Sequence, residues 1–391
     1  MATPMKNVCS ACGFLDLSSL PVPHPSISML SDGQRLPYVL RKLSCSNCGY
    51  GFHASPPDTE ELRKLFDEKY NLGQRDTVAE TRRAAHYFEA ILSFLGENRV
   101  SLPDRVLEMG CGMGSLLTAL SSQWKCSSAI GLEPSPVLAE AASLRSSAGV
   151  SIYRGFAEDF HDLHVPEVDL CLSVNVIEHS ISPETFLLAC NNSIRSEGNV
   201  LVICPDGENP SSELLFYDHL SSLTTKSLSI FGKRAGLELV ASHTLTGPLQ
   251  GFAMHLFQQS GRSEHIYSSC PDLSARRAAY LNTWCDATKN LTDALKSKPY
   301  AIFGAGEYAD LLAAYCPDIV QAADGFAVDA PTLSSFHSKP IFDMETLLKS
   351  GVCSIVAAVH ERSWPAIHRR FSDLGKAVYH PCIQTSDIVA L

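Results

Sequence analysis

Three glycines at alternate positions, directly after an apolar strand, constrain this chain most. Residues 105–109 read as a strand, Gly110, Gly112 and Gly114 follow, and a helical pattern begins at Ser115. Glycine adopts positive φ easily and leaves bare backbone that a ligand can approach closely. The spacing G-x-G-x-G differs from the G-x-G-x-x-G of dinucleotide-binding folds. The segment therefore predicts a ligand-binding turn between a strand and a helix.

Carboxylates lie on both sides of this turn. Glu108 precedes it within the strand, and Glu133 ends the next predicted strand, with Cys111 and Pro134 in the same two loops. An acid at the tip of the second strand can accept hydrogen bonds from both hydroxyls of a ribose, and Glu108 can meet an ammonium group. The arrangement resembles the S-adenosylmethionine (SAM) site of class I methyltransferases. A glycine-rich turn in another kind of α/β protein is the alternative.

From Pro103 onward, strand patterns alternate with helix patterns. The predicted strands are, in order, 105–109, 128–132, 151–153, 168–174 and 199–204, and the predicted helices between them are 115–123, 136–146 and 184–195. Such alternation predicts a mostly parallel sheet with helices on both faces, a Rossmann-like α/β core.

Parallel sheets bind ligands at the carboxyl ends of their strands, which adds candidates after the third and fourth strands. Ala157 and Glu158 follow the third strand and can flank an adenine, although acids are also common at the start of a surface helix. Asn175 and His179 follow the fourth strand, which places them near the reactive methyl group. A histidine that only packs the loop is an equally good interpretation of His179.

The length, the net charge and the absence of long apolar runs indicate the general class of this protein. A chain of 391 residues accommodates two or three domains. Its formal net charge of −11 argues against a broad phosphate-binding face, so nucleic acid is not an expected partner. No apolar run reaches the length of a membrane span, and the first residues lack the pattern of a signal peptide. A cytoplasmic location with reduced cysteines is therefore expected.

Two Cys-x-x-Cys pairs lie near the start of the chain. Cys9 and Cys12 form the first pair, Cys45 and Cys48 form the second, and a glycine follows each pair. Four thiolates on two tight turns suit tetrahedral Zn²⁺, and a closed shell of this kind implies a structural site. The long gap between the pairs implies that an insertion loops out. Two redox pairs or two disulfides are the alternatives.

A cluster beyond the last predicted core strand supplies catalytic candidates. An Asp218 carboxylate beside His219 can hold one imidazole tautomer and raise its basicity, as a proton-abstracting enzyme requires. Tyr217 can donate a hydrogen bond to a developing enolate oxygen. Tyr70 and His86, in the helical segment before the core, are further candidates to close over the cleft, although helix packing is the favoured interpretation of both.

A second α/β unit begins near Lys298. Gly304 and Gly306 follow a strand and open a helix, with Asp324 further along the chain. This pattern is close to a dinucleotide fingerprint, but a single fingerprint often occurs without a ligand. Binding of a nucleotide phosphate and a tight turn without a ligand are equally open interpretations.

By the order of its parts, the chain resembles the sugar C-methyltransferase family, which methylates nucleotide-linked 4-keto-6-deoxyhexoses at carbon 3. The most specific similarities are the paired Cys-x-x-Cys motifs, His219 followed by Leu-Ser, and the segment 231–239. In the family a Tyr-x-Glu-His motif precedes Leu-Ser, and its histidine is the proposed base. Here Phe216 occupies the tyrosine position and Asp218 the glutamate position, differences that concern the acceptor and not SAM.

The resemblance implies three regions and a reaction. The regions are a zinc-binding module (1–56), a helical segment with the SAM-binding core (57–250) and a C-terminal Rossmann-like domain (251–391). The implied reaction is C-methylation of a small acceptor, of which nucleotide-linked sugars are the family's example, with His219 as base and Tyr217 or His179 stabilising the enolate. The alternatives are an O- or N-methyltransferase, a SAM- or nucleotide-binding protein without turnover, and an NAD-dependent enzyme.

Overall fold

A computed structural model describes residues 8–66, 77–146, 149–163, 165–259, 272–296 and 298–383. The chain forms two compact units. The first contains residues 1–19, 42–213 and 219–274, and the second contains 20–41, 214–218 and 275–391.

The secondary structure alternates through most of the chain. The helices are α1 (Thr59–Lys64), α2 (Thr77–Glu97), α3 (Ser115–Trp124), α4 (Pro136–Arg145), α5 (Pro183–Ser193), α6 (Thr225–Arg234), α7 (Leu273–Leu295), α8 (Glu307–Tyr315), α9 (Pro317–Ala322), α10 (Met344–Lys349) and α11 (Trp364–Asp373). The strands are β1 (Leu17–Ser19), β2 (Ser28–Met29), β3 (Arg35–Leu36), β4 (Lys42–Cys45), β5 (Gly51–His53), β6 (Arg105–Met109), β7 (Ser128–Glu133), β8 (Val150–Arg154), β9 (Val168–Val174), β10 (Ile194–Pro205), β11 (Ser221–Ser222), β12 (Leu237–Thr244), β13 (Phe252–Gln259), β14 (Tyr300–Phe303), β15 (Phe326–Ala327), β16 (Ser335–Phe336), β17 (Lys339–Phe342), β18 (Ser354–Ala357) and β19 (Ala377–Tyr379).

A seven-stranded sheet forms the centre of the first unit. Its strand order is β12-β13-β10-β9-β6-β7-β8, and β13 alone runs antiparallel to its neighbours. The chain leaves β6 toward β8 and then returns to β9 on the other side of β6. This is a doubly wound, Rossmann-like sheet, and the predicted α/β fold class is confirmed. The change of direction at β6 opens a crevice at the carboxyl ends of β6 and β9, where such sheets bind ligands.

Local sequence explains where the helices of this sheet begin. Ser135 and Ser182 accept hydrogen bonds from the first turns of α4 and α5, and each is followed by a proline at the first helical position. Such a serine cap contributes about 1 kcal/mol, and proline is already restricted to helical φ. The strands are apolar on both faces: Val106 and Leu107 in β6 are both fully buried, as expected when helices cover both sides of a parallel sheet.

Residues 8–55 contain several short strands. β1, β4, β5 and β11 form an antiparallel four-stranded sheet that carries both cysteine pairs. The insertion predicted between the pairs is present, because residues 20–41 belong to the second unit.

The second unit is built on a six-stranded sheet of order β16-β17-β15-β14-β18-β19, in which β14 is parallel to both of its neighbours. The predicted boundary between residues 250 and 251 would remove β13 from the seven-stranded sheet that it completes. The compact units instead divide between residues 274 and 275, within α7. In the described ranges, no helix has the length and apolar character needed to cross a membrane.

Candidate functional site

A cavity of about 410 Å³ lies at the carboxyl edge of the seven-stranded sheet. This volume is within the range of roughly 300–1,000 Å³ that is typical of small-molecule sites. Its lining comes mainly from α1 and α2, from Glu108 of β6, and from residues 110–113, 132–134, 155–158, 174–176 and 179–182. The sequence-predicted cofactor residues therefore lie around one cavity, except Gly114, which is the N-cap of α3.

Steric limits explain two of the glycines. Gly110 has φ of 72°, and a Cβ atom there would lie 2.4 Å from Cγ2 of Val176. Gly112 has φ of 53° with open space beside it, so the backbone conformation rather than a neighbour requires glycine. The backbone N–H groups of Gly110 and Cys111 donate to the carbonyl of Leu132 at 2.7 and 2.9 Å. The turn is thereby tied to the tip of β7.

Glu133 also holds this turn. Its Oε2 accepts a hydrogen bond from the N–H of Gly112 and its Oε1 from the N–H of Ser135, both at 2.9 Å. The side chain is buried, and desolvation raises its pKa to about 7. The acid predicted to bind a ribose thus lies beside the cavity in an environment that makes its ionisation sensitive to pH near neutrality.

Glu108 is the most deeply buried acid of the cavity. Desolvation, with a further effect from the charge of Glu80, raises its pKa well above the ordinary value. Within the described residues, Oε2 of Glu108 has no hydrogen-bond partner. A buried carboxyl oxygen in this state is costly unless a ligand satisfies it. A cationic amine is the ligand chemistry that fits it best, as predicted for the ammonium group of SAM.

Helix α2 contributes a side of the cavity that the sequence reasoning missed. Glu80, Ala84 and Tyr87 line the cavity and lie on one face of the helix, because their spacing is i, i+4, i+7. The amide nitrogen of Asn175 donates to the phenol oxygen of Tyr87 at 3.0 Å. The sequence signal that could have identified this face is a polar residue, Glu80, on the same helical stripe as Ala84 and Tyr87.

The two candidates proposed for this helical region have different outcomes. His86 is not among the residues that line the cavity, whereas its neighbour Tyr87 is. Tyr70 lies outside the described residues.

Asn175 has φ of 57°, a conformation that asparagine tolerates better than most residues and that turns the chain at the end of β9.

An arginine of α1 closes the side of the cavity formed by the segment after β8. The guanidinium of Arg63 forms a bidentate pair with Asp159 at 2.7 and 2.8 Å and lies 4.5 Å from the ring centre of Phe156. Both charged side chains are partly exposed, so the pair contributes more to geometry than to stability. Phe156, Ala157 and Glu158 line the cavity beside it.

The two candidate histidines lie together. His179 lines the cavity, and its ring is perpendicular to that of His219 at a centroid distance of 4.8 Å. Glu178, His179 and His219 each place one polar side-chain atom within 4.8 Å of the others. The exposed fractions of Glu178, His179 and His219 are 2%, 9% and 7%, so the group is nearly excluded from solvent.

The carboxylate opposite His219 is Glu213. Its Oε2 lies 3.9 Å from Nδ1 of His219, and its Oε1 accepts a hydrogen bond from the Ser222 hydroxyl at 2.6 Å. Burial acts to raise the pKa of Glu213, but the His219 ring and the Lys42 ammonium outweigh it and hold that pKa below the ordinary value. Glu213 is therefore an ionised, buried carboxylate at neutral pH.

Asp218 and Tyr217 contact residues of the segment between the cysteine pairs. Oδ1 of Asp218 accepts a hydrogen bond from the Ser31 N–H at 2.9 Å, and Oδ2 accepts one from the Ser31 hydroxyl at 2.6 Å. Tyr217 stacks on Tyr38 at 5.5 Å. Both residues belong to the second unit, while His219 belongs to the first. Glu213, six residues before His219 in the chain, is brought opposite Nδ1 of His219 by tertiary packing.

The four cysteines converge. Sγ of Cys9 lies 3.6 Å from that of Cys48, Sγ of Cys12 lies 3.6 Å from that of Cys45, and all four atoms lie within 4.8 Å of one another. A tetrahedron with metal–sulfur bonds of about 2.3 Å has sulfur atoms roughly 3.8 Å apart. Disulfide sulfurs would be about 2 Å apart. The geometry therefore fits a four-thiolate metal site and excludes the two-disulfide alternative for these residues.

The two cysteine turns have the same backbone design. Gly13 and Gly49 donate hydrogen bonds to the carbonyls of Cys9 and Cys45 at 2.8 and 3.0 Å. Burial raises the pKa of Cys45 to about 11, whereas hydrogen bonding from Cys48 lowers that of Cys9 to about 5. Four thiols this close together, three of them buried, ionise together only when a cation compensates their charge.

The glycine pattern of the second unit has a steric explanation. Gly304 has φ of 109°, and a Cβ atom there would lie 2.4 Å from the carbonyl oxygen of Ala358. The first turn of α8 carries Glu307 and Asp310, and Asp310 faces Nε2 of His337 at 2.8 Å. Acids at a helix N-terminus oppose phosphate binding. The structure favours a tight βα turn over a phosphate site.

Known proteins resemble the segment that contains the cavity. Residues 79–242 match the family model of a methyltransferase domain. A ubiquinone biosynthesis O-methyltransferase of Saccharophagus degradans is 22% identical over 163 residues, which cover 38% of this chain and 69% of that enzyme. Its counterpart in Aromatoleum aromaticum is 25% identical over 144 residues, which cover 37% of this chain and 61% of that enzyme.

Among solved structures, CalO1, a methyltransferase in calicheamicin biosynthesis in its SAH-bound form, aligns with 46% of this chain and 55% of its own. Its identity is 18% and the TM-score is 0.37. Each of these matches covers less than half of the chain and describes the methyltransferase domain alone.

Proposed function

We propose that this chain, a SAM-dependent methyltransferase by its domain and its curated relatives, methylates a carbon next to a carbonyl of a small acceptor. The observation that carries the proposal is a buried histidine with an ionised carboxylate opposite it, placed beside the wall of the cofactor cavity. This arrangement matches that of a general base, which must accept a proton from a weak acid. Hydroxyl or amine acceptors need much weaker assistance.

Each of the predicted cofactor residues would contact a different part of SAM. Glu108 would bind the ammonium group, Glu133 the ribose hydroxyls, and the backbone of Gly110 and Gly112 the central part of SAM. Ala157 and Glu158 would flank the adenine, as the sequence indicated. When bound, SAM supplies an electrophilic methyl group on a sulfonium. The carboxylates of the lining favour a cationic ligand over an anionic one.

On the acceptor side, Nε2 of His219 would remove the proton from the carbon next to the carbonyl. Nε2 keeps that proton, and the electron pair remains on the acceptor as an enolate. His179, whose ring contacts that of His219 and lines the cavity, would donate a hydrogen bond to the enolate oxygen. His179 is favoured over Tyr217, the other predicted donor, because His179 lines the cavity and Tyr217 is not among the lining residues.

Deuterium exchange tests this proposal without requiring methyl transfer. Enzyme, S-adenosylhomocysteine and a keto acceptor, such as a nucleotide-linked 4-keto-6-deoxyhexose, are incubated in heavy water. We expect deuterium to enter the carbon next to the carbonyl, and His219→Asn to reduce the rate at least 100-fold, because a general base typically contributes 10²–10⁴. SAM affinity, measured by calorimetry, should remain within about twofold of the wild-type value.

Exchange at the wild-type rate in His219→Asn would place the base elsewhere. O-methylation of a small metabolite is the second candidate, favoured by the activity for which both curated relatives are named. Methyl transfer to a hydroxyl by the Asn variant at near wild-type rate would select it. SAM binding without transfer to any acceptor in a panel of sugars and phenols would select the binding protein without turnover.

We also propose that Cys9, Cys12, Cys45 and Cys48 bind one structural Zn²⁺. The spacing of their sulfur atoms supports this assignment, as does the pair of matched turns that presents them. The ion would link the turn before β1 to the turn between β4 and β5 and take no part in methyl transfer, because four thiolates leave no open coordination position.

A further inference from the structure

We propose that Glu213 is a positioning residue that fixes the tautomer of His219 and raises its proton affinity, a role that the sequence alone gives to Asp218. The inference depends on the proposed function only in taking His219 as the base.

The position of the Glu213 carboxylate is fixed on one side. The side chain is 4% exposed, and its Oε1 accepts the Ser222 hydroxyl at 2.6 Å. Its Oε2 is directed at Nδ1 of His219, 3.9 Å away. That separation is an ion-pair distance and exceeds a hydrogen bond, and catalytic hydrogen bonds often shorten only when the substrate is bound.

An ionised carboxylate opposite Nδ1 selects one form of the neutral ring. A proton on Nδ1 can point at Oε2, whereas a lone pair there would face negative charge. Nε2 is then the basic nitrogen, which is the atom the reaction requires. Carboxylates orient histidine in this way in metal sites and in catalytic triads.

The charges that face His219 belong to several elements. Glu178 and His179 approach it from the segment after β9, within 4.8 Å. Lys42 of β4 donates to the backbone carbonyl of Glu213 at 3.3 Å and moderates the charge of its side chain. Two acids and one neighbouring imidazole therefore lie close to His219, and one ammonium lies close to Glu213. Oε2 of Glu213 forms an ion-pair contact with Nδ1 of His219 at 3.9 Å.

Paired substitutions of the two acids test the assignment. Glu213→Gln removes the charge of Glu213 but keeps an oxygen that can accept the hydrogen bond from Ser222. Asp218→Asn removes the charge of Asp218, the residue next to His219 in sequence, and keeps an oxygen that can accept the hydrogen bond from the Ser31 N–H. His219 is titrated by NMR with labelled histidine, and the pH dependence of deuterium exchange is recorded from pH 5 to 9. In Glu213→Gln we expect both midpoints to fall by about one pH unit, because an opposite charge at this distance shifts a pKa by about 1–3 units.

The exchange rate at high pH should also fall, about tenfold, because a less basic imidazole is a weaker proton acceptor. Asp218→Asn should leave both midpoints within about 0.3 of the wild-type value. Glu213→Asp retains the charge and should recover at least half of the shift, which a purely structural role for Glu213 would not explain. Unchanged SAM affinity confirms that each variant is folded.

A shift of the titration midpoint in Asp218→Asn, with none in Glu213→Gln, would overturn the inference. It would assign the positioning role to Asp218, the residue next to His219 in sequence. The two proposals fail separately. If His219→Asn keeps full exchange, the proposed function fails, while the NMR titration still reports whether Glu213 sets the pKa of His219. If His219→Asn abolishes exchange and the Glu213→Gln titration does not move, the inference alone fails.

Discussion

A single buried carboxyl group, that of Glu133, joins the glycine turn to the second core strand. With a pKa raised to about 7 by burial, it is partly protonated in the free protein at neutral pH. Ribose hydroxyls donate to a carboxylate more strongly than to a neutral acid. SAM should therefore bind with release of a proton, and affinity should rise several-fold from pH 6 to pH 8.

Removing this carboxyl group should weaken SAM binding at least tenfold with the fold intact. Glu133→Ala removes a charged acceptor, and each hydrogen bond to a charged group contributes about 1.5–3 kcal/mol. Calorimetry at several pH values measures both the affinity and its pH dependence, which should disappear in the variant. Glu140→Ala, at an exposed position of α4, is the matched control. An unchanged dissociation constant in Glu133→Ala would remove Glu133 from the site.

A buried histidine in β13 should make the fold sensitive to acid. His255 is fully buried, and desolvation lowers its pKa from 6.5 to about 3. The unfolded chain takes up this proton below pH 6.5 and the folded chain does not. Stability is therefore fully present above pH 6.5 and is lost as the pH falls toward 3, by up to about 1.4 kcal/mol per pH unit.

Urea unfolding between pH 4.5 and 7.5 measures this effect. His255→Asn should flatten the acid dependence by about one proton, although it lowers stability at pH 7.5. His243→Asn, at an exposed position of the neighbouring strand β12, should leave the slope unchanged. Equal slopes in the two variants would show that other groups take up the proton.

At the scale of elements, the cysteine sheet supports the segment that carries His219. β11 begins shortly after His219 and pairs with β5, and the N–H of His53 donates to the carbonyl of Leu220 at 3.1 Å. The Thr224 hydroxyl donates to the carbonyl of Cys48 at 2.7 Å. The proposed zinc site and the proposed base are therefore connected through one small sheet.

Loss of one cysteine should consequently affect metal content and base together. Cys45→Ser opens the thiolate shell, so we expect zinc to fall from one ion per chain to none and deuterium exchange to fall with it. SAM affinity should change less, because the glycine turn lies on another sheet. Elemental analysis and calorimetry measure these quantities, and Cys353→Ser, at an exposed position, is the control.

One result of the metal analysis would change the proposed reaction. A second equivalent of metal that survives in Cys45→Ser and disappears in His179→Ala would assign a cation to the histidine pair. His219 would then be unable to serve as the base. Protein without any zinc after purification in the absence of chelators would reject the four-cysteine site.

Elements of the core could be predicted because their patterns are long and local. β6 and β9 have the predicted bounds, since both are apolar runs buried on both faces. The strands of the first 55 residues have two to four residues each, too few for a periodic pattern to develop. The contact between Glu213 and His219 could not be predicted from the sequence, because the fold and not chain adjacency brings the two residues together.

At the scale of the whole molecule, the chain repeats one architecture with different chemistry. Both central sheets are largely parallel, and each has a glycine after a central strand: Gly110 after β6 and Gly304 after β14. The first turn is bordered by the acids that suit cationic SAM. The second leads into a helix that begins with Glu307, which disfavours phosphate groups.

The chain should therefore bind one SAM and neither NAD nor NADP. Calorimetry on the full chain should give a SAM stoichiometry of one, with heat lost in Glu133→Ala and retained in Gly306→Asp, since nothing lies within 4 Å of a Cβ at Gly306. NAD or NADP at 1 mM should produce no heat, because a phosphate near Glu307 and Asp310 meets like charge. Saturable binding of NAD or NADP that Gly306→Asp abolishes would contradict this and revive the NAD-dependent enzyme. Two SAM molecules per chain would mean that the second sheet also binds the cofactor.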